Sequence, residues 1–411
     1  MNKLLNRSNS NFAVIDGIRA IAVLWVIIFH AWLFQYLTFK SSIDKIYDHP
    51  LFYWVSKGDL GVDLFFVISG FLIGGIIFKE IKSRDSFNFK RFYVRRFLRL
   101  TPVYIFAIFL DLVLLNTINL ENILDYWSNI LYINNYIPKS PLGWTWSLAI
   151  EEQFYIVVPF LLVFIFPKFR NKATFFIVLS AISIALTWYY VYFVKQYRLP
   201  FNLTVLSKEW KNWFRTYYMV THLRYIGLLF GVATAYLSVY KANELKNIFE
   251  KKVGLFTFFS FVAVIGFLGI SFTPVGEWIP MKTSIFNNLN IHIGRWYEIL
   301  TRPVFSLFVA FIILASIYGN NVIINPVNKF LSSKFLYPIA QVSYSAYLFH
   351  ETFIFWIRPR LFTYLSPNYT NTQIFIITVS ISLIGTLVAA VIMYYLIEQP
   401  FQKIRDKIKF S

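Results

Sequence analysis

Hydrophobic residues in this chain come in long blocks, not in the alternation of half-buried strands or the narrow stripe of a surface helix. Ten blocks stand out, near 13–38, 61–78, 100–118, 146–166, 174–194, 223–240, 253–273, 301–319, 339–357 and 374–397. Each is about 18 residues or longer, enough for a helix to cross a bilayer. The pattern predicts an all-α fold: a polytopic transmembrane helical bundle of about ten spans. The block at 100–118 carries Asp111 and is less uniform than the others. The first block is too long for a signal-peptide core, and no small-residue cleavage site follows it. It reads as a retained first span.

Composition agrees. The chain is 57% hydrophobic and 21% aromatic, but only 14% charged, where a soluble domain carries about a quarter charged residues. A net charge of +19 would suggest nucleic acid in a soluble protein. In a membrane protein the basic residues collect in cytoplasmic loops and face anionic lipid, so membrane lipid is the expected partner and nucleic acid is not. With the N-terminus inside, the inner segments hold 23 of the 39 Lys and Arg residues and the outer loops 13. Both termini are therefore expected in the cytoplasm. The absence of Cys excludes disulfides, thiolate catalysis and Cys-ligated metals. Five His residues without an HExxH-type pair give no metal motif, so no metal is expected. No repeat or low-complexity linker divides the chain. A single domain over 1–411, without a fused extracytoplasmic domain, is expected.

Several blocks carry residues that a membrane span normally sheds. IDGIRAIAVLWVIIFH holds Arg19 and His30 eleven residues apart, nearly on one helical face and roughly 16 Å apart along the axis. Arg19 at the cytoplasmic mouth could snorkel to headgroups or point into the bundle. His30, deeper, should face a protein interior or a watery cavity. WTWSLAIEEQFYIVVP brings Ser147, Glu151 and Glu152 to a similar level from the opposite direction. A carboxylate there could hold one ring nitrogen of His30 and leave the other as a base, or could serve only helix packing. In GDLGVDLFFVISGFLIGG, Gly70 and Gly74 form a small-xxx-small pair suited to close helix packing. Asp63 there reads as a solvated or capping residue that could line a cavity, and Ser69 as a donor to its own helix or to a substrate. Eight basic residues lie between Lys79 and Arg99. Orientation alone accounts for many of them, but Arg95, Arg96 and Arg99 would also suit phosphate oxygens. His350 and Glu351 are neighbours in the ninth block. Adjacent helical residues diverge by about 100°, so His350 ranks as a secondary site residue. Pro400 reads as a helix stop. Trp210, Lys211, Trp213 and Arg215 read as an interfacial belt or an anionic-sugar contact.

These segments together resemble the acyltransferase-3 family of bacterial integral membrane O-acyltransferases, over nearly the whole chain. The resemblance rests on Arg19 and His30 at their eleven-residue spacing, GVDLFFVISGF (61–71), Arg96-x-x-Arg99, WSLAIEEQFY (146–155) and SYSAYLFH (343–350). It implies a bacterial inner-membrane enzyme moving an acyl group, commonly acetyl, from a cytoplasmic acyl-CoA such as acetyl-CoA to a hydroxyl of a glycan or glycolipid. The donor is a substrate, and no bound cofactor is implied. His30, Glu151 and Arg19 would be catalytic, with His30 the general base. Arg96, Arg99 and Arg95 would bind the acyl-CoA. Asp63, Ser69, Ser147, Glu152 and His350 would line the cavity. Some members carry a fused extracytoplasmic hydrolase-like domain, so a separate extracytoplasmic partner protein is a further expectation. The competing reading is a proton-coupled transporter or flippase for an anionic solute or lipid-linked sugar.

Overall fold

The computed structural model describes residues 4, 13–39, 49–114, 120–137, 140–194, 207–278, 281, 284–286, 290–365 and 368–408. Among them there are helices and no strands. The long helices are α1 (Ala13–Phe39), α2 (Leu60–Arg84), α3 (Phe89–Leu114), α4 (Trp146–Phe160), α5 (Lys172–Phe193), α6 (Ile226–Tyr240), α7 (Val253–Ser271), α8 (Ile291–Tyr318), α9 (Leu336–Leu365) and α10 (Asn371–Met393). Among the described residues, eight helical segments are long and apolar enough to cross a membrane. Two further helices, the short α6 and the more polar α9, occupy the sixth and ninth blocks. The end of the third block, 115–118, lies outside the described residues.

Two boundaries differ from expectation in ways that matter. The basic segment 79–99 is mostly helix: α2 runs to Arg84 and α3 begins at Phe89. Arg84 therefore ends α2, and Arg91, Arg95, Arg96 and Arg99 are carried on α3. Pro400 does not end the chain's last span. A π-turn at Tyr394–Glu398 leads directly into a helix α11 (Gln399–Lys407), with Pro400 in its first turn. A first-turn proline lacks only an N–H that has no intrahelical partner. The helix therefore continues and carries Glu398, Gln402 and Arg405 onward.

The helix α1 lies in the middle of the bundle, packed against α2, α9 and α10. Its Ala20, Ala22, Val23, Val26 and Ile27 are fully buried. The α2–α6 pair is the closest. A Cβ on Gly70 would lie 2.0 Å from the Leu228 carbonyl oxygen, and one on Gly231 2.1 Å from that of Val67. These glycines let the two backbones touch, as small-xxx-small packing requires. Trp210 and Trp213 are not a membrane-interface belt. Both are buried and stack with Phe214, Tyr218 and Trp278 in an aromatic cluster.

Candidate active site

A cavity of about 540 Å³ runs through the bundle along α2, from Val62 to Lys79. Seventeen residues of helix correspond to roughly 26 Å. One end is basic. Arg19 from α1, Lys79 from α2, Arg96 and Arg99 from α3 and Arg405 from α11 line it, against the carboxylates of Glu151 and Glu398. Arg96 and Arg99 share a face because they are one helical turn apart. Arg95 lies about 100° round the same helix and is exposed, so it is not part of this wall. Arg19 is 3.6 Å from Asp16, one turn earlier. The Arg96 guanidinium stacks over the Tyr155 ring at 5.0 Å. Among the described residues no carboxylate lies within 4.0 Å of Arg96 or Arg99, so the wall carries positive charge that the protein does not neutralise by contact.

Midway, the Glu151 carboxylate accepts hydrogen bonds from Ser69 Oγ (3.0 Å) and Tyr155 Oη (2.8 Å). Ser69 thus donates across helices, not within its own. Glu152 is not among the lining residues. Further along, Ser147 and Tyr347 form a wall of their own. The two hydroxyl oxygens are 2.6 Å apart. Tyr347 donates to the Trp144 carbonyl at 3.1 Å, so Ser147 is the donor to Tyr347.

Behind Tyr347, whose ring packs on that of His350 at 5.3 Å between centroids, lies a cluster that the sequence only half revealed. His30 Nε2 is 3.0 Å from Glu351 Oε1, and His30 Nδ1 is 3.1 Å from His350 Nε2. His30 is not oriented by Glu151, whose oxygens are held by Ser69 and Tyr155. Its carboxylate partner is Glu351. Nor does the divergence of neighbouring residues keep His350 and Glu351 apart in role: they flank His30 from two sides. His350 is fully buried, whereas the His30 side chain keeps 18% of its surface exposed. His30 does not line the cavity itself.

The proton positions follow from the partners. Both Nδ1 atoms face carbonyl oxygens that can only accept, Val26 O at 2.9 Å for His30 and Tyr347 O for His350. Each Nδ1 therefore carries a hydrogen, and His350 Nε2 is an acceptor for His30. A single proton then lies between His30 Nε2 and Glu351. One ligand atom from each of His30, His350 and Glu351 lies within 4.8 Å of the others, so this group could hold a metal ion.

Asp63 is neither solvated nor a lining residue of the main cavity. It is buried and receives Arg302 Nη1 at 2.6 Å and Arg224 Nη2 at 3.3 Å. Arg302 also reaches Asp59 at 2.7 Å, and Lys57 reaches Glu277 at 3.1 Å. The signal for this network was present in the sequence, as charged residues at block edges, but the partners are up to 243 positions apart.

A family model described as an acyltransferase domain matches residues 12–395. The chain belongs to the acyltransferase-3 family. Among its relatives, the O-acetyltransferase OatA of Staphylococcus aureus (strain NCTC 8325 / PS 47) is 29% identical across 95% of this chain and 57% of its own length. The Caenorhabditis elegans protein "Nose resistant to fluoxetine protein 6" is 24% identical across 97% of this chain and 51% of its own length. The acyltransferase-3 chain described above thus spans about half the length of the curated relatives it matches. No solved structure matches it.

Proposed function

We propose that this protein is a membrane O-acyltransferase that moves an acetyl group from acetyl-CoA to a hydroxyl of a glycan or glycolipid. The reading rests chiefly on one observation: a long cavity with five cationic side chains against two carboxylates ends at Tyr347, whose ring packs on His350 of the His30–His350–Glu351 cluster. The relatives named O-acetyltransferases agree with it. In this reading the basic end faces the cytoplasm, as do both termini, and the membrane is the bacterial inner membrane. Arg96, Arg99 and Arg19 take the donor's phosphates by charge-assisted hydrogen bonds. The pantetheine arm lies along α2 past Ser69 and Glu151. Glu151 acts as a positioning residue, holding Tyr155 beneath Arg96.

The thioester then reaches the Ser147–Tyr347 wall, and displacement of the Tyr347 ring opens the path to His30. The acceptor enters from the opposite end, where His30 is partly exposed. Its hydroxyl replaces Glu351 as the partner of His30 Nε2. The proton shared by His30 and Glu351 leaves to solvent. As the oxygen attacks the thioester carbon, its own proton passes to His30 Nε2, where the neighbouring Glu351 carboxylate balances the imidazolium. The tetrahedral intermediate collapses, the C–S bond breaks, and CoA leaves as a thiolate that takes up a proton. A separate extracytoplasmic partner protein belongs to the same reading.

The test uses purified protein in lipid vesicles with acetyl-CoA and a cell-surface glycan acceptor. Wild type should release free CoA and acetylate the acceptor. His30→Ala should lower the rate by roughly 10²–10⁴-fold, the range for loss of a general base, with expression and insertion unchanged. Wild-type turnover in that variant would remove His30 from the mechanism. Movement of labelled solute across the vesicle without acyl transfer would establish a transporter instead.

A further inference from the structure

The geometry points to His30, His350 and Glu351 as a binding site for a divalent transition-metal ion, zinc above all, whose occupancy silences His30 as a base. This rests on the proposed role of His30 and concerns the same cluster.

Three observations carry it. First, the donor set is two imidazoles and one carboxylate, one atom from each within 4.8 Å of the others. That is a three-ligand set of the kind zinc accepts with a fourth position left open. Second, both imidazoles are already held as metal-binding histidines are held. Each Nδ1–H is anchored to a backbone carbonyl, Val26 O and Tyr347 O, so each Nε2 is the nitrogen open to a metal once the proton that His30 shares with Glu351 has left. An anchored second nitrogen fixes the tautomer and ring orientation of a ligating His. The anchors come from the residues' own helices, four and three positions back, so they persist if the cluster shifts. Third, the donors are already gathered. Ligands about 2.0–2.2 Å from a tetrahedral zinc lie roughly 3.3 Å apart. His30 Nε2 is 3.0 Å from Glu351 Oε1, and one donor atom from each of the three residues lies within 4.8 Å of the others. His350 Nε2, which faces His30 Nδ1 at 3.1 Å, has to turn toward the Nε2 edge of His30. The 18% of the His30 side chain that stays exposed leaves the cluster open to an entering ion. Nitrogen donors favour zinc over magnesium or calcium, which prefer oxygen shells.

The exchange balances simply. The ion takes His30 Nε2, His350 Nε2 and a Glu351 oxygen, and the one proton now shared by His30 and Glu351 leaves to solvent. Both Nδ1 protons stay. With its lone pair on the metal, His30 Nε2 has none for an acceptor hydroxyl, so zinc should inhibit transfer.

The experiment titrates metal-stripped, detergent-solubilised full-length protein with ZnCl₂ calorimetrically, in two buffers of different ionisation enthalpy. The same protein is then titrated with CoCl₂ while its visible absorbance is recorded. Expected are one ion and about one proton released per chain, with an intense visible Co²⁺ absorbance of tetrahedral type. MgCl₂ should give no comparable heat. His350→Ala and Glu351→Gln should weaken zinc by at least about tenfold, and Glu351→Asp should recover part of the loss. No tetrahedral cobalt absorbance in wild type would overturn the site without recourse to any variant. So would zinc binding unchanged in both variants, or binding with no proton released. A parallel activity assay keeps the two ideas distinct. Inhibition by zinc that is relieved by EDTA supports the proposal. Loss of activity on EDTA treatment, restored by zinc, would make the ion catalytic and overturn both silencing and the base role. Normal activity at saturating zinc would leave the ion bound but refute silencing.

Discussion

The bundle contains two sets of charged side chains away from bulk water, and they are built on opposite principles. Around Asp63, three cations (Lys57, Arg224, Arg302) meet three carboxylates (Asp59, Asp63, Glu277) at direct contact. The arginines also stack on the Tyr218 ring at 4.8 Å. That set is nearly self-neutralising and joins α2 and the residues just before it, α8, and the segments that precede α6 and follow α7. Along the cavity, five cations line open space with two carboxylates. Arg19 and Arg405 have Asp16 and Asp406 beside them, whereas Arg96 and Arg99 meet no carboxylate within 4.0 Å among the described residues. The carboxylate nearest the middle is satisfied by hydroxyls. Charge matched within the protein fixes helices, and charge left over awaits something from outside. The difference marks the first set as a lock and the second as the candidate binding site.

The contrast can be broken most sharply at Asp63. Asp63→Ala leaves Arg302 and Arg224 without their shared carboxylate, and breaking a buried pair costs roughly 3–5 kcal/mol. Thermal melting in detergent should show a large loss of stability, and activity should fall with folded protein. A melting point equal to wild type would mean that the network is not structural. Arg96→Ala with Arg99→Ala should do the reverse. Each lost charge-assisted hydrogen bond is worth about 1.5–3 kcal/mol, so the donor KM should rise by roughly 100-fold or more while the melting point stays close to wild type. If the donor KM is unmoved, the phosphates bind elsewhere. Gly70→Ala tests the scaffold between the two sets. Its methyl would meet the Leu228 carbonyl, and such overpacking costs roughly 1–3 kcal/mol, read as a lowered melting point with an unchanged donor KM in the surviving protein. The smallest effect is at Arg95, which is exposed. Arg95→Ala should change donor KM less than twofold, and an effect as large as that of Arg96 would return it to the phosphate set.

Much of the candidate site was legible because its residues violate the rules of the segment that carries them. Arg19, His30, Glu151 and the Arg96–Arg99 pair are costly in apolar helices, and the cavity or its immediate neighbour contains all of them. Reading partners was harder. Helical periodicity places a side chain on a face of its own helix but says nothing about which helix stands opposite. Glu151 was therefore given to His30, when Ser69 and Tyr155 hold it. The divergence of adjacent helical residues ranks His350 second and leaves Glu351 out, yet long side chains one residue apart can flank a single ring from two sides. Glu398, Gln402 and Arg405 were missed because a proline in the first turn of a helix looks, in sequence, like one that ends it.

Composition and block length by themselves determined a helical bundle made for lipid, because an unpaired backbone polar group in a bilayer is too costly for anything but helices or closed barrels. They also determined which residues were out of place. Tertiary structure alone decided that His30 meets His350 across 320 positions of sequence, that Asp63 is locked and not solvated, and that Arg95 faces away while Arg96 faces in. Those outcomes depend on how helices rotate and pair, and that is set by the summed packing of the whole bundle and not by any local run of residues.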